Sequence, residues 1–168
     1  MAGPYPGRGG FAQTSAGNEG WDVQPWKGPG LVERHSVPHD ATSVRLTRHR
    51  LIVALRSDRQ PEALVEDAAL VISELVGNAV RYGLPFEDGS VRVGWQSTRD
   101  GVVLEVSDGG VGPVCDATRP EQTRDGGRGL LLVDAVSIEW GVEVQTGCSA
   151  VWVRLAARTA DRLTATVG

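Results

Sequence analysis

A chain of 168 residues, 40% hydrophobic and 23% charged, has enough apolar material for one globular core with some tail to spare. Its formal net charge of −4 and pI near 5.4 do not supply the basic surface that a phosphate backbone or an anionic membrane selects, so neither nucleic acid nor membrane is expected as the main partner. Cys115 and Cys148 are too few and too far apart for a zinc cluster or a disulfide scaffold, and no apolar run of transmembrane or signal-peptide type occurs, so a soluble protein of the reducing cytoplasm is expected.

Residues 1–30 are rich in Gly, Pro, Ser, Gln and Asn without apolar periodicity, and read as a disordered or loosely docked arm. Trp21 and Trp26 are the exception, two indoles suited to dock the end of the arm onto the domain or onto a partner. The folded part, 31–157, opens with a weakly alternating strand, LVERHSV, which Pro38 ends. Asp40 or Thr42 is placed to cap the next helix, ATSVRLTRHRLIVALRS, with Val44, Leu51 and Leu55 on one side. A second helix spans about 62–82, with Pro61 near its first turn and Gly83 just past its end.

The period then changes from helical to alternating. SVRVGWQS places Val91, Val93 and Trp95 on one face, and GVVLEVSD repeats the pattern with Val102, Leu104 and Val106, the two joined by a hairpin turn. A loop without apolar period follows, DGGVGPVCDATRPEQTRDGGRG, of a length usually functional or mobile. A third helix, GLLLVDAVSIEW, two strands, VEVQT and SAVWVRLAA, and a tail over 158–168 complete the chain. Strand and helix do not alternate, which argues against a doubly wound parallel sheet. The expected class is α+β: a two-layer α/β sandwich, its sheet mixed but mostly antiparallel, with three helices on one face.

In the second helix Asp67, Glu74, Asn78 and Arg81 form one polar stripe, flanked by Leu64, Ala68, Val71, Leu75 and Ala79 on one side and by Val65, Ala69, Ile72, Val76 and Val80 on the other. A helix apolar around most of its circumference is largely buried, with its stripe facing a cleft or solvent. A carboxylate and an amide oxygen one turn apart suit two tasks, taking a proton from a nucleophile and holding Mg²⁺; a plain solvated stripe is the competing reading. SDGGVG, directly after a strand, offers Asp108 to an exocyclic amine such as that of adenine, while Gly110 and Gly112 let backbone approach a flat ring. The second glycine cluster, DGGRGLLLV, lies at a loop-to-helix junction, where free helix N-terminal amides favour a phosphate. Each of these taken alone is also ordinary turn or helix-start chemistry.

No GxxxxGK[ST] occurs, GGRGLL is not GxGxxG and follows a polar loop, and no GxSxG is present, so P-loop, dinucleotide and nucleophile-elbow readings are set aside. His35, His39 and His49 cluster ahead of the core and read as surface or loop histidines.

Taken in order, ELVGNAV, DGGVG, GGRGL and GCSAVW resemble the four ATP-binding boxes of the gyrase, heat-shock chaperone, histidine kinase and mismatch-repair (GHKL) ATPase superfamily. Within it, SELVGNAVRYG with GRGLLLVDAVSIEWG is similar to the anti-sigma-factor serine/threonine kinase branch, over about residues 32–157. The resemblance implies ATP and Mg²⁺ as cofactors, Asn78 as the Mg²⁺ ligand, and Glu74 as the general base for the attacking hydroxyl. It implies Asp108 on the adenine amine, Gly110 and Gly112 shaping the base pocket, Gly127 and Gly129 with Leu130 under the phosphates, and a lid over 113–126 from which Arg119 or Arg124 reaches the terminal phosphate. Its partners would be a sigma factor and an anti-sigma-factor antagonist, with a homodimer plausible from the family. The family's last box usually reads Gly-Thr. Here Gly147 is followed by Cys148, so Ser149 would supply the hydroxyl with a shift of one residue. Gly77 replaces a threonine common before the family's Asn, and close approach of another group to that turn is the explanation to test. An ATP-gated interaction module with little catalysis is the alternative function. A histidine kinase's catalytic half would need a phosphoacceptor on a long dimerisation helix, whereas one compact helix holding His49 precedes the boxes.

Overall fold

The computed structural model describes residues 32–110, 127–145 and 147–157, so the expected arm, the tail and residues 111–126 lie outside the described residues. The elements run β1 (Val32–Pro38), α1 (Thr42–Ser57), α2 (Glu62–Tyr82), β2 (Ser90–Thr98), β3 (Gly101–Asp108), α3 (Gly127–Val136), β4 (Glu139–Gln145) and β5 (Cys148–Ala156). The α+β class and the three helices stand as expected.

α1 starts where Asp40 Oδ1 accepts from the N–H groups of Thr42 (2.8 Å) and Ser43 (3.3 Å), two amides that no helical carbonyl serves. These bonds, the Thr42 hydroxyl first among them, hold the Asp40 carboxyl below its ordinary value. α2 follows Pro61, whose φ of −56° suits a helix start. Around α2 the two apolar flanks are buried, Val80 partly, while Asp67, Glu74 and Asn78 are half-buried and Arg81 is exposed, its guanidinium 5.8 Å from the Tyr82 ring.

The five strands are ordered β1-β2-β3-β5-β4, and every pairing is antiparallel. The sheet is therefore antiparallel throughout, without the parallel pair that a mixed sheet would contain. β2 and β3, and likewise β4 and β5, are consecutive antiparallel neighbours that need no crossover, and β1 reaches β2 by way of the α1–α2 hairpin. Registers place Val37, Val91, Val93, Trp95, Val102, Leu104, Val106, Val153 and Leu155 on one face, where they form the core with Leu51 and Leu55 of α1, the apolar flanks of α2, and Val133 of α3. Among the described residues all three helices lie on that face.

The third helix is shorter than its sequence pattern implies. It ends at Val136, because the Ile138 N–H donates to Arg154 O (2.9 Å) and Glu139 begins a strand against β5. The apolar spacing of VDAVSIEW suits either state, and pairing with β5 decides it. No helix among the described residues is long and apolar enough to cross a membrane.

Candidate functional site

α2 is the element that positions the site, and residues distant in sequence meet it at its middle and at its C-terminal end. Near its middle, Glu74 points at the first turn of α3: a Cβ on Gly129 would lie 2.6 Å from Glu74 Oε2, far inside an ordinary contact. Gly129 is thus the residue whose missing side chain admits the carboxylate to the start of a helix, where free amides and the helix dipole favour negative charge. Asn78 lies one turn further along α2, half-buried on the same stripe.

At the C-terminal end of α2 the contact is with Asp108, the last residue of β3. A Cβ on Gly83 would lie 2.5 Å from Asp108 Oδ2 and 2.7 Å from its Cγ. Gly83 itself has φ −82° and ψ 172°, a conformation open to any residue, so the glycine is required by what surrounds it, the Asp108 carboxylate and the Ala79 carbonyl that accepts its N–H at the end of α2, 2.6 Å from where a Cβ would stand. Asp108 Oδ1 accepts from the Gly110 N–H at 3.0 Å. Burial pushes the Asp108 carboxyl above its ordinary value, while that N–H and the nearby His39 pull it back. The glycines after it are hemmed in: a Cβ on Gly110 would lie 2.7 Å from Leu84 N, and the Gly109 N–H donates to Leu84 O at 2.9 Å.

Ser149 is the register partner of Asp108 and shares its helix-facing side, whereas Cys148 points to the other side of the sheet. Burial first, then the charges of Asp108 and Glu105, push the Cys148 thiol up to about 11. Leu130 is half-buried on α3, and Gly127 opens that helix. Gly112, Arg119 and Arg124 lie outside the described residues. The structure therefore brings Glu74 to Gly129 and Asp108 to Gly83, Gly110 and Ser149, with α2 spanning the two groups.

Two expectations change. Gly77 has nothing among the described residues within 4 Å of where its Cβ would stand, so none of them crowds that turn or explains the absent side chain by close approach. His39, read from sequence as a loop residue, is a fixed part of the site's frame. Its Nε2 lies 3.1 Å from Ala79 O and 3.2 Å from Gly83 O; both partners are carbonyls, so this nitrogen carries the proton and caps the last turn of α2. The signal was there in principle, since the carbonyls ahead of Gly83 need donors from outside the helix.

Among the described residues no group of three or more His, Cys, Asp or Glu side chains gathers as a metal cluster. A cavity of about 540 Å³ lies at the other end of the sheet, lined by Glu33, Gln60, Trp95 and Thr98 among others, and none of the motif residues reaches it.

The family model for the histidine kinase-like ATPase domain matches residues 37–155, well over half of the chain and spanning every contact just described. The chain belongs to this family. An ATPase domain binds nucleotide, so nucleotide binding is the coarse function that membership of the histidine kinase-like ATPases brings. No curated protein matches the chain. A solved structure, that of the RsbU and RsbW domains of Rv1364c from Mycobacterium tuberculosis, is similar to it at 22% identity with a TM-score of 0.59, over 79% of this chain and 34% of that one. The match thus spans about a third of the length of that chain, and at this identity the likeness carries the fold alone.

Proposed function

We propose that the chain is an ATP- and Mg²⁺-dependent, anti-sigma-factor-like regulator that transfers the γ-phosphoryl group to a serine or threonine hydroxyl of an anti-sigma-factor antagonist and, in another state, sequesters a sigma factor. The observation that carries this reading is the contact between Glu74 and Gly129, because it puts a carboxylate at the helix start that suits the phosphates. Glu74 takes the proton of the attacking hydroxyl, and the bond from that oxygen to phosphorus forms as the bond to the leaving ADP oxygen breaks. Asp108 accepts from the adenine amine, Gly110 and Gly112 admit the ring, and Ser149 contributes a hydroxyl beside Asp108. Gly127, Gly129 and Leu130 line the phosphate end, with Arg119 or Arg124 from the lid neutralising the terminal phosphate.

The donor set fits a magnesium ion that arrives with the nucleotide. Asn78 offers a hard amide oxygen, there is no dedicated acidic cage among the described residues, and Mg²⁺ held mainly by phosphate oxygens and water needs only one or two protein ligands. When bound, the ion neutralises charge on the phosphates; the chain's own residues orient the nucleotide and move the proton. Cys148 in the last box supported the alternative of an ATP-gated interaction module without catalysis. Because Ser149, not Cys148, shares the Asp108 face, that support weakens.

ATP titrated into the wild type with and without Mg²⁺, and into Asn78→Ala, tests the reading. Magnesium-dependent binding that falls in the variant is expected; binding indifferent to both would remove it. Glu74→Ala should keep ATP binding and lose transfer to an antagonist serine, and undiminished transfer would leave only the interaction module.

A further inference from the structure

The sheet has a second face on which none of the described helices lies, and its centre is nonetheless closed to solvent. Gln96 is 2% exposed, Glu105 2%, Ser107 1%, Ala150 0% and Val103 8%, and Gly94 between them is buried. Registers put all six on the side opposite the core.

Three large neighbours on this face lean away from its centre, and a fourth, Arg34, which is in register with Gly94, is itself exposed. The Trp152 indole lies on Gly141 of β4, where a Cβ would be 2.8 Å from its Cζ2. Arg154 Nη1 is 3.5 Å from Glu139 Oε2, also toward β4. The Arg92 guanidinium sits 4.0 Å from the Phe86 ring centroid, beyond the other end of the patch. Glu105 has Gly94 and the root of Trp152 beside it in register, and its Oε1 accepts from the Ser107 hydroxyl at 3.1 Å. Glu105, Gln96 and the three arginines of the face have partners, so this is a satisfied surface under a cover, not a row of stray charges.

Three stretches outside the described residues are long enough to provide cover. The one over 111–126 leaves at Gly110, packed on Leu84, and returns at α3, so both its ends sit on the helix side. The one over 158–168, RTADRLTATVG, holds no aromatic side chain. The stretch before β1 ends in WDVQPWKGPGL and supplies two indoles, Val23, Leu31 and the chain's single lysine, Lys27. Trp26 is six residues from Val32, a contour of roughly 20 Å, while β3 lies two strands from β1, about 10 Å away. An indole buries roughly 150–250 Å² and donates one N–H, which suits a glycine-floored gap beside a buried carboxylate.

We propose that residues 21–31 pack across the helix-free face of the sheet, with the Trp26 indole over Gly94 and its N–H directed to the Glu105 carboxylate. The face is then an intramolecular docking surface and is closed to a second copy of the chain.

The test uses the full chain carrying Val103→Cys with Cys115→Ser, and labelling at position 103 is read apart from that at Cys148 by peptide mass, because Cys148 lies on the same face. Alkylation at position 103 should be slow and should rise about tenfold or more when Trp26→Ala is added, the factor expected from losing one buried indole. Equal rates in two variants that both unfold cooperatively would overturn the proposal. So would acceleration on removing 158–168 instead, or protection that disappears on dilution, which would assign the cover to the tail or to a second copy. From the other side of the contact, a lysine-specific protease has a single site at Lys27, and cleavage should accelerate by a similar factor in Gly94→Glu; an unchanged rate in that folded variant would also overturn it.

Discussion

Gly129→Ala separates the chemistry of the site from its stability. The new Cβ would stand 2.6 Å from Glu74 Oε2, where ordinary contact begins at 3.4 Å, so the carboxylate must retreat by the difference, about 0.8 Å. The retreating group is the end of a flexible, half-buried side chain, and alanine is a better helix residue than glycine by roughly 0.5–1 kcal/mol, so the two effects on folding nearly cancel. Catalysis has no such offset. Misplacing a reacting group by about 1 Å costs on the order of 10²-fold, so transfer should fall by roughly that factor while unfolding free energy stays within about 1 kcal/mol of wild type. Phosphoserine formation on an antagonist, measured beside urea unfolding, reads both quantities. A folded Gly129→Ala chain that transfers phosphate at the wild-type rate would refute the use of this contact in the reaction.

Gly77→Ala should stabilise α2, because its Cβ meets nothing within 4 Å; about 0.5–1 kcal/mol corresponds to a Tm gain of roughly 2–4 °C by thermal unfolding, and a lower Tm would show hidden crowding. Asp108→Asn should lose about 10–100-fold in ATP affinity by isothermal titration, the worth of a charge-assisted bond. The same variant should be at least as stable as wild type at pH 7, since burial raises the Asp108 pKa and its ionised form therefore works against folding; that advantage should vanish as pH falls below the ordinary value of 3.8, where the carboxyl is neutral in both states. His39→Ala should cost roughly 1–2 kcal/mol by urea unfolding, as two carbonyls at the end of α2 lose their donor, and should weaken ATP binding through the displaced Gly83–Asp108 contact.

Much of this was legible from local pattern. Pro61 and Gly83 bracket α2, and the change of period after Gly89 marks β2 and β3, because these signals act within a few residues. What the sequence hides is what folding brings from afar. The end of α3 depends on an amide of Ile138 meeting a carbonyl of Arg154, and the apolar spacing alone carried the helix through Trp140. The glycines of the motifs were readable as glycines, but not their reasons: Gly83 makes room for Asp108 and for the carbonyl of Ala79, Gly129 for Glu74, and Gly77 for nothing among the described residues. His39 was hidden for the same cause, since its partners lie forty and forty-four residues away.

α2 acts as a ruler. Glu74 lies on α2 and Gly83 directly follows its last residue, nine positions on, so the spacing between the two ends of the site is set by helical rise at about 13 Å, which no loop can alter. A residue inserted in the connector after Gly83 leaves that measure intact. One inserted between Asn78 and Gly83 would add about 1.5 Å and turn Glu74 by about 100° relative to Asp108, aiming it away from α3. Tolerance to insertion along this chain is therefore set by distance measured on a helix: length can drift in the connector, while the count of residues between these two positions cannot.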